Sequence, residues 1–457
     1  MPFERLALTL ATALAAAAPS TASPVLVETT DWMTAHDLTV DFFDGFAVLH
    51  PAVNINGAVG DSSVSDPGEL QTGAHDPYRD GFSLQGFELA GILELGDGLG
   101  ATAIYNIFED EEDDSVDGEF EEAYGTLDVP GLGLKGGRYL NAFGFENDIH
   151  VHGWNFVDQP LVYGRFLGDH GLRTEGGALT LPLAGRWGTN VALSFGNAVS
   201  HDHSHGNGHG HEHGHEHGEE HGHGGGGHGH GHEHGGGEDL LFDGFFFAGR
   251  LDVPWNSDDF NRWNSHLSVS AGDNALGGQT VVYGTGLAYE WLETGYEPGG
   301  ARFRTSAEIF GRSWTAGGDG HHDHARDDED DHDHEHHNHG HHDHEHHDHE
   351  HGHEHADHGG HGHDGGRGSG ASGTDFGLLV SALYSPTRQW DMGGRIEYVS
   401  GDSEAGLDER WRFSPVATWW ADEEKSLSLR LQYNLDSLPG GEEHSVWLQF
   451  GLSWGGH

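Results

Sequence analysis

Runs of about ten residues in which apolar and polar side chains strictly alternate recur along this chain, and few folds accept them. Between Lys425 and Leu435 the residues Leu427, Leu429, Leu431, Tyr433 and Leu435 alternate with Ser426, Ser428, Arg430, Gln432 and Asn434. Trp390, Met392, Ile396 and Tyr398 alternate with Asp391, Arg395 and Glu397, and Val446, Leu448, Phe450, Leu452 and Trp454 lie opposite Ser445, Gln449 and Ser453. Successive side chains of a strand point to opposite faces, so each run has one apolar and one polar surface. A soluble sandwich alternates in the same way, but its strands usually run about five or six residues. Runs of about ten residues match a tilted bilayer crossing, with the apolar face turned to lipid. Trp314, Trp390, Trp411, Trp419, Trp420, Trp447 and Trp454 near the ends of runs suit the aromatic girdles that flank such a band.

Sixteen segments can be marked: about 50–60, 82–95, 98–108, 118–128, 132–140, 173–183, 187–197, 240–251, 262–271, 281–291, 302–314, 373–385, 390–401, 410–421, 425–435 and 444–454. The second slips phase near Gly86. The expected fold is all-β, a transmembrane antiparallel β-barrel of about 16 strands within a range of 12 to 18, spanning residues 49–457 after a periplasmic segment at 23–48. A charged start, the apolar LALTLATALAAAA and the small residues Ser20, Thr21 and Ala22 read as a secretory signal peptide over 1–22. That run is too short to span a bilayer, and 76 glycines with a mean hydropathy of −0.58 argue against a helical membrane protein. There is no cysteine, which excludes disulfides and thiolate metal sites. A net charge of −56 disfavours nucleic acid and anionic lipid headgroups and favours cations.

If both termini are periplasmic, connections after odd-numbered strands lie outside the cell. The even connections are short, for example Gly96-Asp97, Pro386-Thr387 and Asp422 to Glu424, whereas the odd ones hold every long insertion: 61–81, 109–117, 141–172, 198–239 and 315–372. The last two carry histidine tracts, and both therefore fall on the outer side of a Gram-negative outer membrane.

The candidate metal ligands of the first tract are His201, His203, His205, His209, His211, His213, His215, His217, His221, His223, His228, His230, His232 and His234. Those of the second are His321, His322, His324, His332, His334, His336, His337, His339, His341, His342, His344, His346, His347, His349, His351, His353, His355, His358, His361 and His363. With almost no aliphatic side chains among them, these loops cannot bury enough apolar surface to offset the entropy of ordering and should be solvated and disordered. Imidazole and carboxylate suit divalent metal, Zn²⁺ first and Ni²⁺, Cu²⁺ or Co²⁺ by the same donors. In an extended chain residues i and i+2 lie roughly 6.6 Å apart on one side, so neighbouring pairs offer many weak, exchangeable sites. They bind through neutral imidazole and release metal on mild acidification.

The stretch 138–172 differs: it is aromatic and mixed, so it should pack. His150, His152, Asp158, Tyr163, Arg165 and His170 can line a constriction if it folds into the pore, or Trp154, Phe156, Leu161 and Phe166 can simply plug the barrel. Its pattern N-x-x-H-x-H-x-W-x-F-V-D-x-P-L-V-Y-x-x-F-L-G begins at Asn147. With His-Pro-Ala at 50–52, E-E-A-Y at 121–124, K-G-G-R-Y at 135–139 and H-S-V-W-L-Q-F at 444–450, it resembles a proteobacterial outer-membrane family of zinc-regulated, TonB-dependent-receptor-like proteins. The resemblance implies a barrel concerned with zinc and makes His150 and His152 the family's paired histidines, two further metal candidates. Strand alternation begins within about 30 residues of the expected cleavage site, which leaves no stretch for the plug domain of an energised receptor.

Arg302, Arg304, Glu308, Arg312, Arg395, Glu397, Arg410, Arg412 and Arg430 lie on strand faces opposite the lipid, as a polar lumen requires. No G-x-S-x-G or H-E-x-x-H is present, so an enzyme is not expected. The expected protein is porin-like, capturing zinc on its outer loops and favouring its passage through an acidic pore into the periplasm. The alternatives are a surface metal buffer without conduction and a general nutrient porin. The expected partners are outer-membrane lipid, divalent metal ions and a periplasmic metal-binding protein, with no nucleic acid.

Overall fold

All sixteen alternating segments form strands, and they close on themselves. The computed structural model describes residues 39–317 and 370–455 apart from 43–45, 110–114, 184–187, 200–236, 256–257, 296 and 298; the expected signal peptide and both histidine tracts lie outside the described residues. A three-residue strand that the alternation does not reveal, β1 (Val40–Phe42), pairs with the start of the first barrel strand. The barrel follows as β2 (Ala47–Ser62), β3 (Gly81–Leu95), β4 (Leu99–Glu109), β5 (Val116–Val129), β6 (Leu132–Leu140), β7 (Arg173–Pro182), β8 (Asn190–Ala198) and β9 (Phe242–Pro254). It continues as β10 (Asn261–Asn274), β11 (Gln279–Leu292), β12 (Arg302–Thr315), β13 (Ser372–Thr387), β14 (Trp390–Val399), β15 (Arg410–Trp420), β16 (Leu427–Leu438) and β17 (Gly441–Gly455). Each strand pairs antiparallel with its sequence neighbours, and β17 closes on β2 with Trp447 opposite Gly60 and Trp454 opposite Val53. Closure pairs every strand on both sides and leaves no sheet edge exposed.

The alternation sets an inverted surface. Phe247, Leu267, Ile309 and Leu431 are more than half exposed, while Arg412, Gln432, Asn434 and Asp436 are at most 1% exposed. Apolar outside and polar inside is stable where hydrocarbon is the solvent, and among the described residues no helix is long and apolar enough to cross a membrane. Three of the seven tryptophans assigned to girdles instead face inward. Trp314 donates to Asp402 (2.8 Å), Trp420 donates to Asp391 (2.8 Å), and Trp447 packs on Ala58 and Val157. Period-two reading shows that a tryptophan ends a strand but does not by itself fix its face; Trp419 and Trp420 are adjacent and must diverge. Trp390, Trp411, Trp419 and Trp454 do point outward.

All the connections at one end are short, and the long insertions open from the other. Two of these, 63–80 and 141–172, fold into the lumen. The second carries a short helix, α1 (Leu161–Leu167), whose Val162, Tyr163 and Phe166 pack with Phe143 against Phe246, Val282, Phe310 and Val399 of the barrel wall. One side of the interior is thus a hydrophobic core, each phenylalanine contributing about 1.5–3 kcal/mol by burial. The lumen is filled by loops of the barrel itself.

The outward face predicts its own test. Leu431→Arg, near the middle of β16, should lower folding stability in lipid vesicles by about 2–4 kcal/mol, read from urea titrations. An unchanged midpoint would deny that this face meets hydrocarbon.

Candidate metal centre in the barrel lumen

Two local irregularities build the centre. Asn56 pairs with Gly86 and Gly57 with Leu84, so Gln85 is an extra residue in β3; Ile104 pairs with Glu122 and Tyr105 with Phe120, so Glu121 is an extra residue in β5. A bulge lets adjacent side chains face the same way. Glu121 and Glu122 therefore both enter the lumen, and beyond the bulge in β3 the inward phase passes to Glu88. Gln85 holds both inserted loops, donating to the carbonyls of His75 (2.9 Å) and Val157 (2.7 Å). The phase slip near Gly86 was legible in sequence; its consequence, an acidic patch on one wall, was not.

The loop 141–172 delivers the histidines. Asn147 ties its ends together by donating to the carbonyls of Asn141 (2.7 Å) and Leu172 (3.1 Å). A single turn, Val151–Gly153, then sets the rings of His150 and His152 nearly parallel, 6.0 Å apart. His150 lies among three carboxylates: Nδ1 is 3.0 Å from Glu121 and 3.7 Å from Glu88, and Nε2 is 3.2 Å from Glu122. His152 Nδ1 lies 3.2 Å from Glu88. From loop 63–80, His75 Nε2 meets the other oxygen of Glu121 at 2.9 Å. His170 Nδ1 lies 3.1 Å from Glu119, which also takes Arg173 at 2.7 Å. Donor atoms of Glu88, Glu121 and His150 lie within 4.8 Å of one another, as do those of His75, Glu119 and His170. A cavity of about 40 Å³, lined by His75, Glu121, His150, His170 and Arg173 among others, runs beside them.

The six residues singled out from 138–172 do enter the lumen region, but they separate. His150, His152 and His170 join the acidic wall. Tyr163 donates to Glu308 of β12 (2.9 Å), which also holds His266 (2.8 Å). Arg165 donates to the carbonyl of Asp408 (2.7 Å). Asp158 crosses to the opposite wall, where it accepts from Arg412 (2.9 Å), Gln432 (2.6 Å) and Asn434 (2.9 Å) and pairs with Arg395. The lumen is therefore not uniformly acidic, as expected from net charge. Its acidic side is β3 and β5, and its basic side is β14 to β16. Among the residues brought to the centre, His75, Glu88, Glu119, Glu121 and Glu122 were not identified as ligands from sequence; the glutamate pair at 121 and 122, breaking the alternation of a strand, was the available signal.

No known family model matches the chain, and no curated protein sequence matches it. Among solved structures it is similar to the anion-selective porin of Comamonas acidovorans, with 9% identity over 89% of this chain and 100% of that one and a TM-score of 0.50. An OmpF of Salmonella typhi in complex with daunomycin aligns at 10% identity over 91% and 100% (TM-score 0.49), and the outer-membrane channel DcaP of Acinetobacter baumannii at 8% over 89% and 97% (TM-score 0.47). At these identities the likeness is one of fold: a closed antiparallel barrel of the outer-membrane porin type.

Burial disfavours a charged His150, but hydrogen bonds to Glu121 and Glu122 and the charge of Glu88 outweigh it and hold the imidazole protonated well above its usual range. His75 is raised as well, burial being outweighed by Glu121 and Glu119. A raised histidine favours the folded arrangement fully below the unfolded pKa of about 6.5 and loses that contribution as pH rises through the folded value. Metal needs the neutral ring and must displace this proton. Zinc binding above the ordinary imidazole range should therefore still release protons, seen as a dependence of the calorimetric heat on buffer ionisation enthalpy. Heats independent of buffer would contradict it. On the basic wall, Asp158→Ala removes the carboxylate that Arg395 and Arg412 share and leaves them only Glu397 and Asp436, a cost of about 3–5 kcal/mol. The loop should detach, raising single-channel conductance in planar bilayers and exposing 141–172 to protease; unchanged values for both would show that this anchor does not hold the loop.

Proposed function

We propose that this protein is an outer-membrane, porin-type barrel that takes divalent metal, zinc first, from histidine-rich tracts at its outer mouth and passes it along the acidic side of the lumen to the periplasm. The observation that carries the reading is the set Glu88, Glu121 and His150, buried and with donor atoms within 4.8 Å, of which Glu121 and His150 line a lumenal cavity. Nitrogen and oxygen donors of this kind suit Zn²⁺, and Ni²⁺, Cu²⁺ and Co²⁺ share them. Charge points the same way. Glu88, Glu119, Glu121 and Glu122 face two permanent cations, Arg173 beside Glu119 and Lys135 acting on Glu122. Buried carboxylates without matching charge are costly, and either protons on the histidines or a divalent ion completes the balance.

The cavity also bears on the alternatives. About 40 Å³ is room for a few water molecules or a partly hydrated ion, and a sugar needs the loop 141–172 to leave. A general nutrient porin is therefore the less favoured reading. An ion released at the short-turn end needs an acceptor, and a periplasmic metal-binding protein fits that place.

The test is zinc influx into liposomes carrying the full-length protein and loaded with a fluorescent zinc chelator. Glu88→Gln and Glu121→Gln should each cut influx at least tenfold while leaving the barrel folded by heat-modifiable electrophoretic mobility. Removing 201–234 and 321–363 should lower influx at scarce zinc only. Unchanged flux in both carboxamide variants would overturn the lumenal route, and binding without any flux would favour the surface buffer.

A further inference from the structure

Resting on the zinc reading above, we infer that the lumen holds two metal stations in series: an entry site of His75, Glu119 and His170, and an inner site of Glu88, Glu121 and His150, with Glu121 the ligand common to the handover. The placement along β5 gives the order. Glu119 lies two residues nearer than Glu121 to the end of β5 from which the long insertions open, a rise of about 6.6 Å. An ion arriving from those insertions meets the Glu119 set first.

The entry set has the form of a site. His75 and His170 come from different loops and meet edge to face, centroids 5.5 Å apart, with Phe108 packed against both rings. Nδ1 of His75 is buried with no hydrogen-bond partner, and its ring lines the cavity together with His170. A buried imidazole nitrogen without a hydrogen-bond partner costs free energy that a metal ligand bond removes. Glu121 is the connection, one carboxylate oxygen 2.9 Å from His75 and the other 3.0 Å from His150. A carboxylate that reaches both sites lets an ion exchange one imidazole for the other without returning to full hydration.

The charges make the path directional. Arg173 already offsets Glu119, so the entry site offers little net negative charge, whereas Glu88, Glu121 and Glu122 surround the inner one. Entry is weak and exchangeable; the inner site is tighter. His152, paired with Glu88 at 3.2 Å, is the next donor beyond it.

Crystals of the full-length protein soaked in graded zinc chloride, with anomalous data at the zinc edge, test the inference. Two lumenal peaks are expected, the inner one appearing at lower zinc and the entry one at higher. His170→Ala should erase the entry peak, keep the inner one and raise the zinc concentration for half-maximal influx by roughly tenfold or more. An inner peak alone at every concentration overturns the serial arrangement and leaves the proposed function standing. No lumenal peak at all takes both down. The wild-type soaks decide this without a variant, so misassembly of His170→Ala would not rescue the inference.

Discussion

The interior depends on how one buried carboxylate is satisfied. Asp158 sits on a loop, wholly inside the barrel, and takes Arg395, Arg412, Gln432 and Asn434 from three successive strands. An unpaired carboxylate there would be untenable, and Arg395 and Arg412, each also paired with Glu397 or Asp436, divide their charge between the strands and the loop. That pairing brings the loop 141–172 across the lumen against the entropy of ordering it. Once Asp158 is fixed, Val157 falls under Trp447, Tyr163 reaches Glu308, and His150 is left facing the Glu-bearing stretch of β3 and β5, strands that carry no arginine.

The second loop is locked by the first. Asp76 accepts from the backbone of Gln159 (2.7 Å) and of Gly73 (2.9 Å), and the carbonyl of Leu70 receives Arg410 and Arg412. Buried arginines of the basic wall thus serve two loops at once, and His75 arrives at Glu121 as a consequence. The candidate centre is assembled from four segments of the chain, held by hydrogen bonds made well away from it.

How much of this was legible follows from which physics is local. Alternation is a property of a strand taken alone, so all sixteen barrel strands could be read within a few residues, and the polar faces carrying Arg395, Arg412 and Arg430 were assigned correctly. The three-residue β1 has too short a run to show any period. Trp314, Trp420 and Trp447 were misplaced because an indole at a strand end suits either face until its partner is known. The bulges lie between these cases. A phase slip at Gly86 and a Glu-Glu pair at 121 and 122 are visible, but which residue is squeezed out depends on the register of the neighbouring strand. His150 and His152 stood out by spacing and by resemblance, whereas His75 and Glu88 became ligand candidates only through tertiary placement.

The opposed walls bear on what kind of solute the lumen suits. A basic side at β14 to β16 and an acidic side at β3 and β5 produce a field across the interior, strongest where water is scarce. A cation in the cavity is drawn toward Glu121, on the acidic wall. An anion would be drawn the other way, but Asp158, Glu397 and Asp436 already occupy the arginines there. On the acidic wall Glu121 lines the cavity with His75, His150 and His170, whereas the carboxylates among the arginines are spent on structure. The proposed preference for small cations thus rests on the same ion pairs that hold the loop in place.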